Sequence, residues 1–240
     1  MTRPALLDNV THRHLRLHTE RSAALGDARQ SALALPVEFR HLQAYFPIVF
    51  QKVEAVDDGQ GGFQPIALFG LEEDQNLFLT EAGWDAPIMP MAMQRDPFLI
   101  GRNNDTLQVH IDMDSPRIVR AEEGEVGTAV FMPHGGHSDY LDHVINLLEH
   151  LHAHVQHLPD FIGALTRHEL LEPFTLEVEL GDGSVSQLSG LYTINEERLA
   201  ALPGHVLEVL QHQNLLLPMY MQLASLAQLP RLVERHKLLK

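Results

Sequence analysis

The chain has 240 residues, no Cys, and 17 Lys and Arg against 32 Asp and Glu, for a formal net charge of −15. That charge excludes unaided binding to nucleic acid or an anionic membrane, both of which are held by basic surface. The absence of Cys excludes disulfides, thiol catalysis and Cys-ligated zinc or iron–sulfur centres. Sixteen histidines would offset much of the negative charge at roughly pH 6. The opening residues lack the apolar run of a secretory signal. The most apolar late stretch, Leu215 to Leu229, is broken by Pro218, Gln222, Ser225 and Gln228, so no bilayer span is expected. The expectation is a soluble, cytoplasmic protein.

In chain order, His12 to His18 reads as a brief first strand and Glu20 to Ser31 as a loop or short helix. Pro36 can open a helix that runs to Phe46. Pro47 stops it, and Ile48-Val49-Phe50 starts a strand towards Val56. The run from Asp57 to Gly62 is a turn signal, and Phe63 to Leu71 returns as the partner strand. Asn76 to Thr80 and Leu107 to Met113 read as further strands, the latter with Val109, Ile111 and Met113 on one face. Between these two lie Trp84 to Phe98, with prolines at 87, 90 and 97 that stiffen the backbone.

After Met132 the character changes. Residues 139 to 157 predict an amphipathic helix with Leu141, Val144, Ile145, Leu148, Leu151 and Val155 on one stripe. A second helix follows from Pro159 to His168. Next comes a hairpin, Phe174 to Leu180 and Ser186 to Ile194, turning at Gly181-Asp182-Gly183. Asn195 caps a short helix, and Pro203 to Gln213 and Pro218 to Leu229 add two more before a tail to Lys240. The class is α+β, with an antiparallel or mixed sheet in the N-terminal half and a helix-rich C-terminal half with an inserted β-hairpin. It is read as a single domain over 1–240, sheet-rich over 1–132 and helix-rich over 133–240.

Several blocks together resemble the SapC-like family. They are Tyr45-Phe46-Pro47-Ile48-Val49-Phe50, Pro65 to Leu71, Asn76-Leu77-Phe78, Trp84 to Phe98, Ile111-Asp112, and Gly190 to Glu196, with a terminal helix like Met219 to Leu229. The resemblance implies a non-catalytic accessory or binding protein of a bacterial surface or nutrient-uptake system, and it carries over no catalytic residue. The implied partners are a protein or a small anionic or peptide ligand. Flavin-dependent halogenase-like proteins and components of TonB-dependent uptake systems are the protein candidates. This chain has Gln94-Arg95-Asp96 where the family commonly has an aromatic between Arg and the Pro-Phe pair.

Read physically, a turn from Pro90 to Pro97 would show Arg95 beside Trp84 and Phe98, an arrangement suited to clamping an anion. Tyr45 joins these three as a ligand-binding candidate. The plainer alternative buries Trp84 and Phe98 in a core and pairs Arg95 with a nearby acid. No cofactor is expected on the main reading. The alternative reading is a metal-dependent enzyme with Fe(II) or Zn, of the iron-oxygenase type where the metal is iron, because alternation puts His110, Asp112 and Asp114 on one strand face with His134 and His137 downstream. On the long helix His143, His150, His154 and His157 share a face opposite the apolar stripe, which suits solvent exposure, although the 150/154 and 154/157 spacings could also share a divalent ion; His152 lies nearer the apolar side. Ser138 within Pro133 to Asp139 lacks the strained turn of a nucleophile, and Ser138 or Asp139 reads as the cap of the following helix. The glycines at 59, 61 and 62 lack a phosphate loop's Lys-Ser/Thr. An oligomer built on the late apolar helices is the third option.

Overall fold

A computed structural model describes residues 2–53, 62–103, 106–120, 123–179 and 185–238. The expected turns at 57–61 and 181–183 lie outside the described residues. The first half holds strands β1 (Pro4–Leu6), β2 (Arg16–Leu17) and β3 (Ser31–Leu33), then helix α1 (Phe39–Leu42). Strands β4 (Ile48–Val53), β5 (Gly62–Leu68), β6 (Leu79–Thr80) and β7 (Gly83–Trp84) follow. Helix α2 (Met91–Gln94) precedes β8 (Phe98–Asn103), β9 (Thr106–Asp112) and β10 (Thr128–Ala129). The second half holds α3 (Asp139–Val155), α4 (Leu158–Arg167), the hairpin β11 (Leu171–Glu179) and β12 (Val185–Ile194), and α5 (Glu196–Ala200). It closes with α6 (Gly204–His212), α7 (Leu216–Ser225) and α8 (Leu229–Leu238). The protein is therefore α+β with antiparallel sheets and its helices concentrated in the C-terminal half.

Contacts gather into two compact units, each built from separated segments. One comprises Met1–Ala28, Leu79–Asp85 and Met91–Ala153, and the other Arg29–Phe78, Ala86–Pro90 and His154–Lys240.

The first unit is organised on the antiparallel sheet β1-β9-β8. Alternation along β9 sends Ile111 into a core with Leu17, Phe98, Val130 and Phe131. Helix α3 supplies Leu141, Val144 and Leu148 to the same core, as its 3.6-residue period predicts. Strand β8 is an addition to the expected elements. Its Gly101 leaves room for the His110 ring, which a Cβ there would meet at 2.2 Å.

The second unit carries the five-stranded sheet β11-β12-β4-β5-β3. The late hairpin is thus a continuation of the same sheet as the early one. Its ladder shifts register between Phe174 and Leu176, opposite Gly190 at φ 79°, a conformation that favours glycine. Phe39, Phe46, Phe50, Phe69 and Phe161 are fully buried or nearly so, and Phe161 meets Phe39 edge-on at 5.9 Å. The expected helix from 36 to 46 shortens to α1, with turns on both sides. The expected strand from 76 shortens to β6, because the Asn76 side chain accepts the Phe78 N–H at 3.0 Å and forms a turn. The tail beyond Leu229 is helical. Arg235, His236 and Lys237 occupy its last turn, where cations suit the negative helix end.

Helix α7 is keyed to the sheet by buried amide chemistry. Strands β12 and β4 pair at Leu191 with Gln51 and Tyr192 with Phe50. Further along, the Gln222 side chain stands between the two strands. Its amide oxygen accepts from Ile194 N at 3.3 Å and its nitrogen donates to Ile48 O at 2.8 Å. Ser225 Oγ accepts from Ile48 N at 2.9 Å. Both side chains are fully buried, so these bonds satisfy backbone groups that the ladder leaves open.

Candidate functional site

Two arginine-rich places stand out, one in each unit. The first is the turn after α2. Arg95 N and Asp96 N continue the helical bonding to Met91 O and Met93 O, and Phe98 N donates to Arg95 O at 2.7 Å. The Arg95 guanidinium then donates through Nη1 to Phe98 O at 2.8 Å, closing the turn on itself. The Asp96-Pro97 peptide is cis. From elsewhere in the unit Arg21 donates to Met93 O at 3.0 Å and to Gln94 O at 3.5 Å, capping the carbonyl end of α2.

Arg21 also reaches the fully buried Asp27 at 3.2 Å, and Arg117 reaches the other Asp27 oxygen at 2.5 Å. Arg117 further donates to His18 O and Glu20 O. Burial, followed by the repulsion of Arg117, lowers the Arg21 pKa, while the carboxylates of Asp27 and Asp96 oppose that shift. Asp96, the departure from the family pattern, therefore supplies negative charge to the arginine that holds the turn.

The four expected ligand-binding residues are dispersed. Arg95 and Phe98 share the turn. Phe98 is completely buried, its ring 6.1 Å from that of Tyr140, whose hydroxyl pKa is raised by burial. Trp84 is half-buried on β7 opposite Leu79. Tyr45 belongs to the other unit, tilted against Phe46 at 6.3 Å.

Of the metal candidates, His110 and Asp112 lie on one face of β9, but hydrogen bonds use both. His110 Nδ1 bonds Gln108 O at 3.3 Å. Asp112 Oδ1 accepts from Arg3 N at 2.8 Å and Asp114 N at 3.1 Å. His137 pairs with Asp142 at 3.0 Å, and His134 is exposed. Among the described residues no group of three or more His, Asp or Glu is arranged to hold a metal ion. His143, His150 and His157 are exposed, while His152 and His154 are half-buried.

The second place is a cleft of about 900 Å³ in the other unit, between the start of α1, helix α4 and the α6–α7 corner. Pro159 in the first turn of α4 fits the fixed φ that a helix start requires. That helix buries Phe161, Ala164 and Leu165. Phe161 also lines the cleft, as does Met221 of α7. The corner turns on Asn214 at φ 58°, a conformation Asn tolerates better than most residues.

The formal charges on the cleft lining are Arg40, Arg167 and Asp160, in a chain where acids outnumber bases almost two to one. Among the described residues neither guanidinium has a hydrogen-bond or ion-pair partner. His154 and His157 line the same cleft. A cavity of this size, apolar with a few convergent polar groups, has the form of a ligand site. Free guanidinium forks recognise carboxylate or phosphate oxygens.

Fold and site together define an α+β protein with an open, cationic, apolar-lined cleft. The SapC family model matches residues 7–232, and the chain belongs to the SapC family. No curated protein and no solved structure matches it.

Proposed function

We propose that this SapC-family chain is a non-catalytic accessory protein of a bacterial surface or nutrient-uptake system, and that it works by binding. Its binding surface is the cleft walled by α1, α4 and α7, and the ligand it suits has an apolar body and an anionic group. The observation that supports this reading is the pair of arginines with unspent donors on an apolar-lined cleft. Field focusing in a cleft concentrates ligands of opposite charge, and here the local sign opposes that of the whole chain. The arginines of the Met91–Phe98 turn, by contrast, spend donors on backbone carbonyls.

An anionic apolar dye, 1-anilinonaphthalene-8-sulfonate, tests the reading. The chain should bind it saturably, and the Arg40→Gln/Arg167→Gln double variant should bind it at least about tenfold more weakly. Because both side chains are exposed, the melting temperature should hardly move. Dye affinity that is unchanged in the double variant overturns the assignment.

A further inference from the structure

The apolar surface of the cleft does not stop at its rim. No charged residue occurs from Leu215 to Leu229, so α7 is apolar on more than its buried side. Met219, Gln222 and Ser225 face inward. Leu217, Tyr220 and Ala224 are exposed, at the i, i+3, i+7 spacing of one helical stripe. Leu217 belongs to the cleft lining and is 49% exposed, whereas Tyr220, 48% exposed, lies beyond it. Val37 on the opposite wall is likewise 49% exposed. A molecule confined to the cleft would leave the Tyr220 part of this stripe in water. Half-exposed apolar residues with a charged border are the form of a surface that meets another protein.

Resting on the cleft as the binding surface, the geometry points to its occupant: an acidic, amphipathic segment of a partner protein. The segment's apolar side chains sit over Met221 and continue along Leu217 and Tyr220. Its carboxylates reach Arg40 and Arg167. Recognition of this kind is helix or peptide in groove, with apolar anchors setting affinity and charge setting the choice of partner. Charge complementarity selects an acidic segment over a basic one, because the cleft offers two unpaired cations and one carboxylate.

The test uses the full chain and fluorescein-labelled amphipathic peptides built from leucine and glutamate, or from leucine and lysine, with decanoate as competitor. Anisotropy should show saturable binding of the leucine–glutamate peptide and none of the lysine one. Arg40→Gln/Arg167→Gln and Tyr220→Asp should each weaken it about tenfold or more. Tyr220→Asp, with Tyr220→Ala as a milder second variant, should leave affinity for the anilinonaphthalene dye unchanged, since Tyr220 is outside the cleft. Peptide binding that ignores both Tyr220 variants, or that is equal for the two charges, overturns the partner-segment assignment. Arginine-dependent binding of dye and decanoate without peptide overturns it too, yet leaves the cleft as a site for small amphiphiles. If no probe responds to the arginines, the cleft reading falls with it.

Discussion

The Met91–Phe98 turn and the α1–α4–α7 cleft each carry arginines, but in the turn those arginines are committed to backbone carbonyls. Arg95 closes on Phe98 O, and Arg21 holds Met93 O and Gln94 O while sharing Asp27 with Arg117. Arg40 and Arg167 have no such partners among the described residues. An Arg in a candidate recognition segment is thus an ambiguous sign until its donors are traced. What separates a structural clasp from a recognition element is whether the donors are already spent.

The largest effect that can break this comparison is at Asp27. Asp27→Ala leaves the almost fully buried Arg117 without its carboxylate and should cost about 3–5 kcal/mol of stability, read by urea denaturation. A loss below about 1 kcal/mol would show that the network is solvated and holds nothing. Arg95→Ala should cost less, about 1–2 kcal/mol for one charge-assisted bond at a half-buried site, with dye binding intact. Loss of binding at unchanged stability would instead make the turn a ligand wall.

The smallest effect sharpens the comparison through His18, whose carbonyl accepts from Arg117. Its ring meets Glu123 at 2.9 Å and Glu20 at 3.0 Å. The Glu123 hydrogen bond, with further help from the Glu20 charge, raises its pKa. The stabilisation is fully present below the unfolded-state value and is lost as pH rises through the raised folded value. Glu123 is lowered, mainly by the Arg120 N–H and next by His18. Its contribution is present above the unfolded carboxyl value and is lost as pH falls through the lowered one. The pair is therefore strongest between the two folded values. NMR titration should place the His18 midpoint above the ordinary histidine range, and Glu123→Gln should bring it down. A midpoint that Glu123→Gln does not move would remove Glu123 as the cause.

Much of the fold was legible because local rules governed it. The apolar stripe located α3, Pro47 and the turn signal after Val56 located β4 and β5, and Asn195 caps α5 by accepting from Arg198 N at 2.7 Å. Strand β8 was hidden by the prolines before it, and its Gly101 accommodates the His110 ring of the neighbouring strand. The union of β12 with β4 is a long-range event with no local pattern. The same holds for Asp27 and Arg117, 90 positions apart. From sequence, Arg95 is expected beside the Trp84 and Phe98 rings; in the fold its guanidinium bonds the Phe98 carbonyl, a matter of geometry that no local pattern carries. The cleft left no motif, since Arg40, Arg167 and Leu217 lie on three separated segments whose only shared property is where folding takes them.

Gln222 and Ser225 anchor α7 entirely from its inner side, through bonds to Ile48, Thr193 and Ile194. The helix is therefore held in place independently of whatever its outer residues are. Substitutions at positions 217, 220 and 224 should leave the backbone beneath them in place. The inner amide and hydroxyl, not the outer residues, set where this helix lies on the sheet.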